Sequence, residues 1–247
     1  MSTTPPARPS LTPPTPDDPK RISLLDTIRD SLTRQNKTTL LYRIVVCGSI
    51  PPQTDRSEII ANYQKLFKTH QTDTDLITGL LVLYPETYIH ILESSTKTTY
   101  AFMNSLQSHP LLGKSKVLVV LDDVYHRFFP FWAGRVLEGG GGVLGGRAGV
   151  GGEDVVEVDE EVVAGVCVGL CKVGVGLGAM GKNDLKVALD ELTTQFRDSL
   201  PRSSLLSAII QSKTVMSIQE WTEIYAKSFT LVLESERVWP AQRPLVF

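Results

Sequence analysis

The feature that most constrains the fold is the order of strand-like and helix-like segments between residues 42 and 137. Runs rich in β-branched residues predict four strands, over residues 42–47, 77–84, 87–93 and 116–123. Helical spacing of apolar residues predicts two helices, over residues 57–70 and 98–108. A fifth strand is expected within 127–137, where Pro130 restricts it to a sheet edge or a bulge. The order β-α-β-β-α-β-β predicts an α+β, ferredoxin-like sandwich of about 100 residues with helices on one face of the sheet.

The segments on either side of this sandwich predict further parts of the chain. The first twenty residues hold seven prolines and few large apolar side chains, so we expect a disordered or polyproline-like tail. Helical spacing recurs before the sandwich and, repeatedly, after it, so the sandwich is followed by C-terminal helices. The predicted parts are a proline-rich tail, a helical extension, the sandwich, a glycine-rich insertion, a helical region and an extended tail, with bounds 1–20, 21–39, 40–138, 139–158, 159–233 and 234–247.

Charge and cysteine content exclude several classes of protein. The net charge of −2 lacks the basic surplus that binding to phosphate backbones needs, so we expect no nucleic-acid partner. Three cysteines and an N-terminus without an apolar leader predict a reducing compartment. Residues 162–181 are apolar over the length of a membrane span. Lys172 and several glycines weaken insertion there, so we expect a packed helix and no membrane partner.

The glycines are concentrated in one part of the chain, and 15 of the 19 lie between Gly139 and Gly181. The segment 176–181, GLGAMG, satisfies G-x-G-x-x-G and precedes Lys182, which makes a nucleotide-binding loop the weaker alternative function. A phosphate-binding P-loop needs Ser or Thr where Asn183 stands, and a dinucleotide site needs an acidic residue about 20 positions later. We therefore interpret residues 139–152 as a flexible insertion and the later glycines as small residues on a packed helix and its exit.

No catalytic or metal-binding pattern accompanies these segments. Cys167 and Cys171 lie one helical turn apart, but zinc needs four ligands and no histidine is near them in the sequence. His126 follows Asp122 and Asp123 without a nucleophile motif, which favours a solvated loop. The chain has four histidines, which show no metal-ligand spacing: His70, His90, His109 and His126. We expect no catalytic residue, no metal and no enzymatic activity.

Residues 42–137 resemble the BLUF domain, a flavin-binding blue-light sensor with a ferredoxin-like sandwich. The matching motifs are CGS at 47–49, ITGLL at 77–81, HILES at 90–94 and RFFPFW at 127–132. In that family a tyrosine, an asparagine and a glutamine hold the flavin and rearrange their hydrogen bonds on illumination. The resemblance places these roles on Cys47, Thr72 and His90, whereas the family's tryptophan is retained as Trp132.

These substitutions remove the groups on which the photochemistry depends. Cys47 cannot replace the phenol as electron and proton donor, and neither Thr72 nor His90 has the amide that contacts the flavin. We therefore expect no photocycle and no cofactor. A sensor that binds FAD with altered photochemistry, in the same cleft between the two helices, is the alternative.

A second resemblance, to the testis-expressed protein 47 family of BLUF-like proteins, is carried by LYPETYIHILESS at 83–95 and ESERVWP at 234–240. It implies a non-enzymatic structural protein of motile cilia and sperm flagella, located in the axoneme and otherwise cytoplasmic. The expected partners are other axonemal proteins and microtubule-associated complexes. This structural, ciliary role is our leading hypothesis from the sequence.

Overall fold

The structure, a computed structural model, describes residues 22–35, 39–73, 75–139, 142–144 and 158–227. The predicted tails at 1–20 and 234–247 lie outside the described residues, as does most of the predicted insertion at 139–158. The chain divides into two compact units, residues 1–38 and 39–247. In the first unit, helix α1 (Leu24–Arg34) begins with a capping box in which Ser23 and Asp26 bind each other's backbone N–H groups.

The second unit is built around a five-stranded sheet in the order β4-β1-β3-β2-β5. All neighbouring strands are antiparallel except β2 and β5, which are parallel. Pro130 precedes β5, which forms one edge of the sheet. With one helix between β1 and β2 and another between β3 and β4, this is the ferredoxin-like fold that the sequence predicts. The strand bounds are β1 Leu41–Ser49, β2 Thr78–Leu83, β3 Thr87–Ser95, β4 Ser115–Leu121 and β5 Trp132–Val136.

Helices α2 (Arg56–His70) and α3 (Thr96–Gln107) cover one face of the sheet. Side chains alternate between the two faces along each strand. In β1, Ile44 and Val46 pack under these two helices, whereas Val45 and Cys47 pack on the opposite face. The apolar core is therefore divided by the sheet into two clusters.

The opposite face is covered by the C-terminal helices, which sequence reasoning treated as a separate region. These helices are α4 (Glu160–Gly178), α5 (Lys182–Asp190), α6 (Leu192–Gln195) and α7 (Ser203–Gln211). The strands explain why helices cover this second face, because every residue of β2 and β3 is buried. A strand whose side chains are buried on both faces needs a cover on each side. The sandwich and the C-terminal helices accordingly lie in one compact unit.

Helix α4 is the one described helix that is long and apolar enough to cross a membrane. Its stripe of Val166, Leu170, Val173 and Leu177 is buried in the second apolar cluster. A Cβ at Gly169 would lie 2.4 Å from the carbonyl oxygen of Ser199, so this glycine permits close packing.

The glycine motif at 176–181 does not form a phosphate-binding loop. Gly176 and Gly178 lie in the last turn of α4, and Gly181 is the N-cap of α5. A Cβ at Gly176 would lie 2.7 Å from the ring of Phe196. A phosphate cradle needs a loop of free backbone N–H groups in front of a helix, whereas here Gly176 and Gly178 belong to the helix that precedes Gly181. The motif at 176–181 therefore does not have the layout of a glycine-rich phosphate-binding loop.

Part of the predicted flexible insertion is fixed by hydrogen bonds. The Val143 amide donates to the carbonyl of Arg197 at 2.8 Å, and the Leu144 amide donates to that of Leu200 at 3.3 Å. A Cβ at Gly142 would lie 2.0 Å from the Leu200 carbonyl oxygen. Residues 142–144 therefore belong to the packed second unit.

The last described segment packs on α3 and β4. Helix α8 (Ile218–Trp221) begins with a capping box made by Ser217 and Glu220 and continues into a π-helix, Thr222–Ala226. Ile218 and Trp221 are buried in the cluster beneath α2 and α3.

Candidate functional site

The candidate site lies beneath α2 and α3, where β3 and β5 place His90 and Trp132 on the same side of the sheet. His90 is fully buried, and the indole N–H of Trp132 donates to its Nε2 at 2.9 Å. An indole nitrogen can only donate, so Nε2 accepts and the imidazole proton resides on Nδ1. Burial lowers the pKa of His90 to about 3, so the ring is neutral at physiological pH.

Aromatic rings from both helices surround His90. The centroid of its ring lies 5.0 Å from that of Phe102 and 5.2 Å from that of Tyr63. Tyr63 also stacks on His109, with 5.3 Å between centroids. We call the following six residues the ring cluster: Tyr63, Phe67, His90, Phe102, His109 and Trp132. The protein's own side chains thus occupy the space between the two helices.

Two polar atoms of the ring cluster are buried without a hydrogen-bond partner among the described residues: the Tyr63 hydroxyl and the His90 Nδ1. Burial raises the pKa of Tyr63 well above its usual range and lowers that of His90. Both side chains are therefore neutral at physiological pH. The interior of the site offers neither a charged group nor an activated nucleophile.

The structure brings together only two of the four residues that the BLUF resemblance assigns to one site. His90 and Trp132 are hydrogen-bonded, as described above. Cys47 lies on the opposite face, because it pairs with Ile89 in the β1–β3 register while Val46 pairs with His90. Burial raises the pKa of the Cys47 thiol to about 12. The β1 side chain that shares the face of His90 is thus the alkyl group of Val46, which forms no hydrogen bond.

Thr72 lies outside the ring cluster, on an exposed turn after α2. It lines a surface cleft of about 520 Å³ between the end of α2, the start of β2 and the segment before β5. Phe67 and Trp132 also line this cleft and connect it to the ring cluster. The polar side chains that line the cleft include Lys68 and Asp73, and both residues are exposed to solvent.

Sequence reasoning missed a buried ion pair on the opposite face of the sheet. Arg43 Nε donates to Glu93 Oε1 at 2.8 Å, and the Thr78 hydroxyl donates to Oε2 at 2.8 Å. The backbone amides of Phe128 and Phe129 donate to the same carboxylate at 2.9 and 3.2 Å. A sequence signal did exist, since Arg43 and Glu93 are the only Asp, Glu, Lys or Arg residues in β1 and β3.

This ion pair positions the segment that leads to Trp132. The guanidinium of Arg43 lies 3.6 Å from the ring centroid of Phe128 and donates to the carbonyl of His126 at 2.9 Å. Arg127 donates to the backbone carbonyl of Glu93 at 2.8 Å. The segment 126–129 is therefore held on β3 immediately before Pro130 and β5. We infer that Glu93 is a structural anchor that acts on the far side of the sheet from the ring cluster.

The described residues contain no group of three or more His, Cys, Asp or Glu side chains that could hold a metal ion. Cys167 and Cys171 are free thiols. Burial raises the pKa of both and brings that of Cys167 to about 12, so neither thiol forms a thiolate readily.

The fold resemblance implies FAD, and the residues present do not fit it. A flavin ring between α2 and α3 would have to displace members of the ring cluster, above all Tyr63 and Phe102. Val46 provides no hydrogen bond on β1, and the Nε2 of His90 is already bound to Trp132. The site is thus an uncharged aromatic core.

The strand order, the two covering helices and the degenerate site define a BLUF-like domain of the ferredoxin-like class, with a second helical layer on its other face. The family pattern of testis-expressed protein 47 matches residues 40–227 of this chain. The chain belongs to the testis-expressed protein 47 family.

Solved structures similar to this chain include BLUF proteins and a light-regulated adenylyl cyclase. BlrP1 BLUF is 18% identical, with a TM-score of 0.33 over 40% of this chain and 65% of that chain, and BlrP1 comes from Klebsiella pneumoniae. BlrB, a BLUF protein in its dark state, is 14% identical, with a TM-score of 0.34 over 40% of this chain and 74% of that chain. A bacterial light-regulated adenylyl cyclase is 22% identical, with a TM-score of 0.35 over 40% of this chain and 28% of that chain. The chain thus covers less than two thirds of BlrP1 BLUF and of the cyclase.

Proposed function

We propose that this protein is a non-enzymatic structural component of motile cilia and sperm flagella, built on a BLUF-like domain without flavin chemistry. The observation that carries the proposal is the ring cluster, because it fills the space between α2 and α3 with neutral side chains. A domain with this interior acts through its surface. We accordingly assign it a role in protein–protein contacts.

Two further observations support this role. The matching family is described as testis-expressed, and the testis is the tissue in which sperm flagella are assembled. The net charge of −2 suits contacts with other proteins better than contacts with nucleic acid. The expected partners are axonemal proteins and microtubule-associated complexes. In this proposal the folded unit presents the main contact surface, and residues 1–20 and 234–247 lie along its partners.

The proposal is tested by fractionating flagellated sperm that carry the tagged full chain. After detergent extraction we expect the protein to stay with the axonemal pellet, while a cytosolic marker enters the supernatant. Recovery of the tagged chain in the supernatant together with that marker would overturn the axonemal role.

A second arm of the experiment examines the proline-rich segment. Deletion of residues 1–20 is expected to lower retention in the pellet and to leave the melting temperature of the protein unchanged, because the deletion removes no residue of the second unit. Unchanged retention in the pellet would show that residues 1–20 are not part of the contact surface.

A further inference from the structure

Four aromatic side chains from four different elements line a surface groove of about 430 Å³ beside β4. They are Tyr42 of β1, Tyr100 of α3, Trp221 of α8 and Tyr225 of the π-helix. Tyr100 and Trp221 lie 5.4 Å apart between ring centroids, and Trp221 and Tyr225 lie 5.5 Å apart. These three rings form a row in which Trp221 is buried, whereas Tyr225 is 56% exposed. The row is therefore anchored in the core and reaches the surface.

The row of rings is held in place from two sides. The Tyr100 hydroxyl donates to the carbonyl of Tyr225 at 3.3 Å, which ties the π-helix to α3. On the other side, Ile218 and Trp221 are buried in the core beneath α2 and α3. The π-helix is a rare form of helix that occurs frequently at functional sites. The positions of these rings are thus set by the fold before any ligand arrives.

The groove has a negative charge beside its aromatic rings. Asp122 is the only Asp, Glu, Lys or Arg among the described residues that line it. Arg43 pairs with Leu121 in the β1–β4 register, which brings Asp122 next to Tyr42. Asp122 is exposed and forms no ion pair with any described residue. Burial, with the nearby Tyr100 and Asp122, raises the pKa of Tyr42, so its phenol is neutral at physiological pH. This combination attracts a cation.

We propose that this groove binds the side chain of a methylated lysine on a partner protein. The proposal rests on the role in protein–protein contacts given above and specifies one chemical group of the partner. The faces of aromatic rings attract cations, and quaternary ammonium groups are recognised in this way. Trimethyl-lysine has no N–H group on its ammonium, so it needs no hydrogen-bond acceptors from the groove. The volume of the groove lies within the range of small-ligand pockets, about 300–1,000 Å³.

Three other cationic groups fit the groove less well. The ammonium of unmodified lysine is strongly hydrated, so its desolvation costs more. Arginine has five N–H donors, whereas the carboxylate of Asp122 is the only charged acceptor among the described lining residues. A choline headgroup has the same ammonium but is joined to a phosphate in a lipid. None of the described lining residues is a lysine or arginine that could bind this phosphate.

The test is an NMR titration of the full chain with a short peptide, blocked at both ends, that contains one trimethyl-lysine. We expect saturable shifts at the amides of Trp221 and Tyr225, and none at that of Leu81 in the centre of the sheet. The same peptide with lysine, or with a neutral analogue in which carbon replaces the ammonium nitrogen, should bind at least about tenfold more weakly. The neutral analogue has the same shape, so this comparison isolates the charge.

Variants of the groove locate the binding. Tyr225→Leu removes an exposed ring and should weaken binding of the trimethyl-lysine peptide by about tenfold, whereas Tyr225→Phe keeps the ring and should bind within about twofold of the wild type. Asp122→Asn should weaken binding by about threefold. The matched controls are Tyr125→Leu and Asp184→Asn, which change exposed residues outside the groove and should leave the affinity unchanged. The amide spectrum of each variant shows whether it is folded.

The proposal is overturned by any of four results. Equal affinity for trimethyl-lysine and its neutral analogue would show that the groove does not select a cation. Tighter binding of an arginine peptide would assign the groove to a guanidinium. Larger shifts at Trp221 and Tyr225 with phosphatidylcholine vesicles than with the peptide would assign it to a membrane surface. The absence of saturable shifts with all these probes would show that the groove is not a cation site. Each of these results leaves the axonemal role standing, because that role is tested separately by fractionation.

Discussion

Among the charged residues that the structure describes, we expect Glu93 to be the one whose neutralisation destabilises the protein most. The carboxylate is fully buried and accepts hydrogen bonds from Arg43, Thr78 and the backbone amides of residues 128 and 129. In Glu93→Gln the side chain keeps its size, but Arg43 becomes a buried cation without a counter-charge. Breaking a buried ion pair in this way costs about 3–5 kcal/mol.

This cost is large enough to measure by two independent methods. For a unit of 150–250 residues, each kcal/mol lowers the melting temperature by about 2–4 °C, so we expect a decrease of roughly 10 °C. Urea unfolding followed by tryptophan fluorescence gives the free energy directly. The matched control is Glu86→Gln, an exposed residue in the β2–β3 turn, for which we expect a change of about 0.5 kcal/mol or less.

A double-mutant cycle separates the buried charge from other effects of the substitution. In Arg43→Met/Glu93→Gln the unpaired cation is absent, so the double variant should be more stable than the sum of the two single changes predicts. Glu93→Gln within about 1 kcal/mol of the wild type, or strictly additive single variants, would refute the interpretation of this ion pair as a structural anchor.

Three further substitutions test the packing described above. Tyr63→Phe removes a buried hydroxyl that has no hydrogen-bond partner among the described residues. In urea titrations its free energy of unfolding should be unchanged or higher by about 1 kcal/mol, and a clear loss would reveal a partner for that hydroxyl. The pKa of His90 is lower in the folded protein than in the unfolded chain, so its contribution to stability is present above about pH 6.5 and is lost as the pH falls towards 3. In His90→Gln the free energy of unfolding should therefore decrease less steeply with falling pH, by up to about 1.4 kcal/mol per pH unit. Identical slopes in the variant and the wild type would contradict a buried neutral imidazole. Gly169→Ala should lower the melting temperature because its Cβ would meet the Ser199 carbonyl. Gly165→Ala, in the same helix, places its Cβ in open space and should stabilise the protein by about 0.5–1 kcal/mol. Equal effects of the two substitutions would exclude close packing at Gly169.

The sheet was predictable because local patterns determine it. The β-branched runs and the two helical periods predict the order of the elements along the chain, from which the ferredoxin-like topology follows. The fifth strand lies at an edge of the sheet as expected, although Pro130 precedes this strand and is not part of it. The cover on the second face was harder to predict, since the apolar stripe of α4 does not reveal what it packs against. The burial of both faces of β2 is a matching signal, visible in the near-continuous apolar residues of that strand.

The site was predictable only in part, because a motif match does not determine which face of a strand a residue occupies. One position along β1 separates Val46, which shares the face of His90, from Cys47, which does not. A change of one residue in strand register reverses the two faces, and sequence spacing alone does not determine that register. The contact between Tyr63 and His109 was unpredictable for a similar reason, since it joins residues far apart in the chain.

The most direct test of the central claim is a flavin-binding titration of the purified full chain. Equilibrium dialysis against FAD determines whether the space between α2 and α3 accepts a flavin. Free and bound FAD are measured by absorbance at roughly 450 nm, where oxidised flavins absorb. Tyr63→Ala/Phe102→Ala provides the comparison, because it removes two rings of the cluster, and its folding is checked by circular dichroism. We predict no saturable binding by the wild-type chain. Stoichiometric FAD binding by the wild-type chain, lost on replacement of Trp132 or His90, would contradict the account.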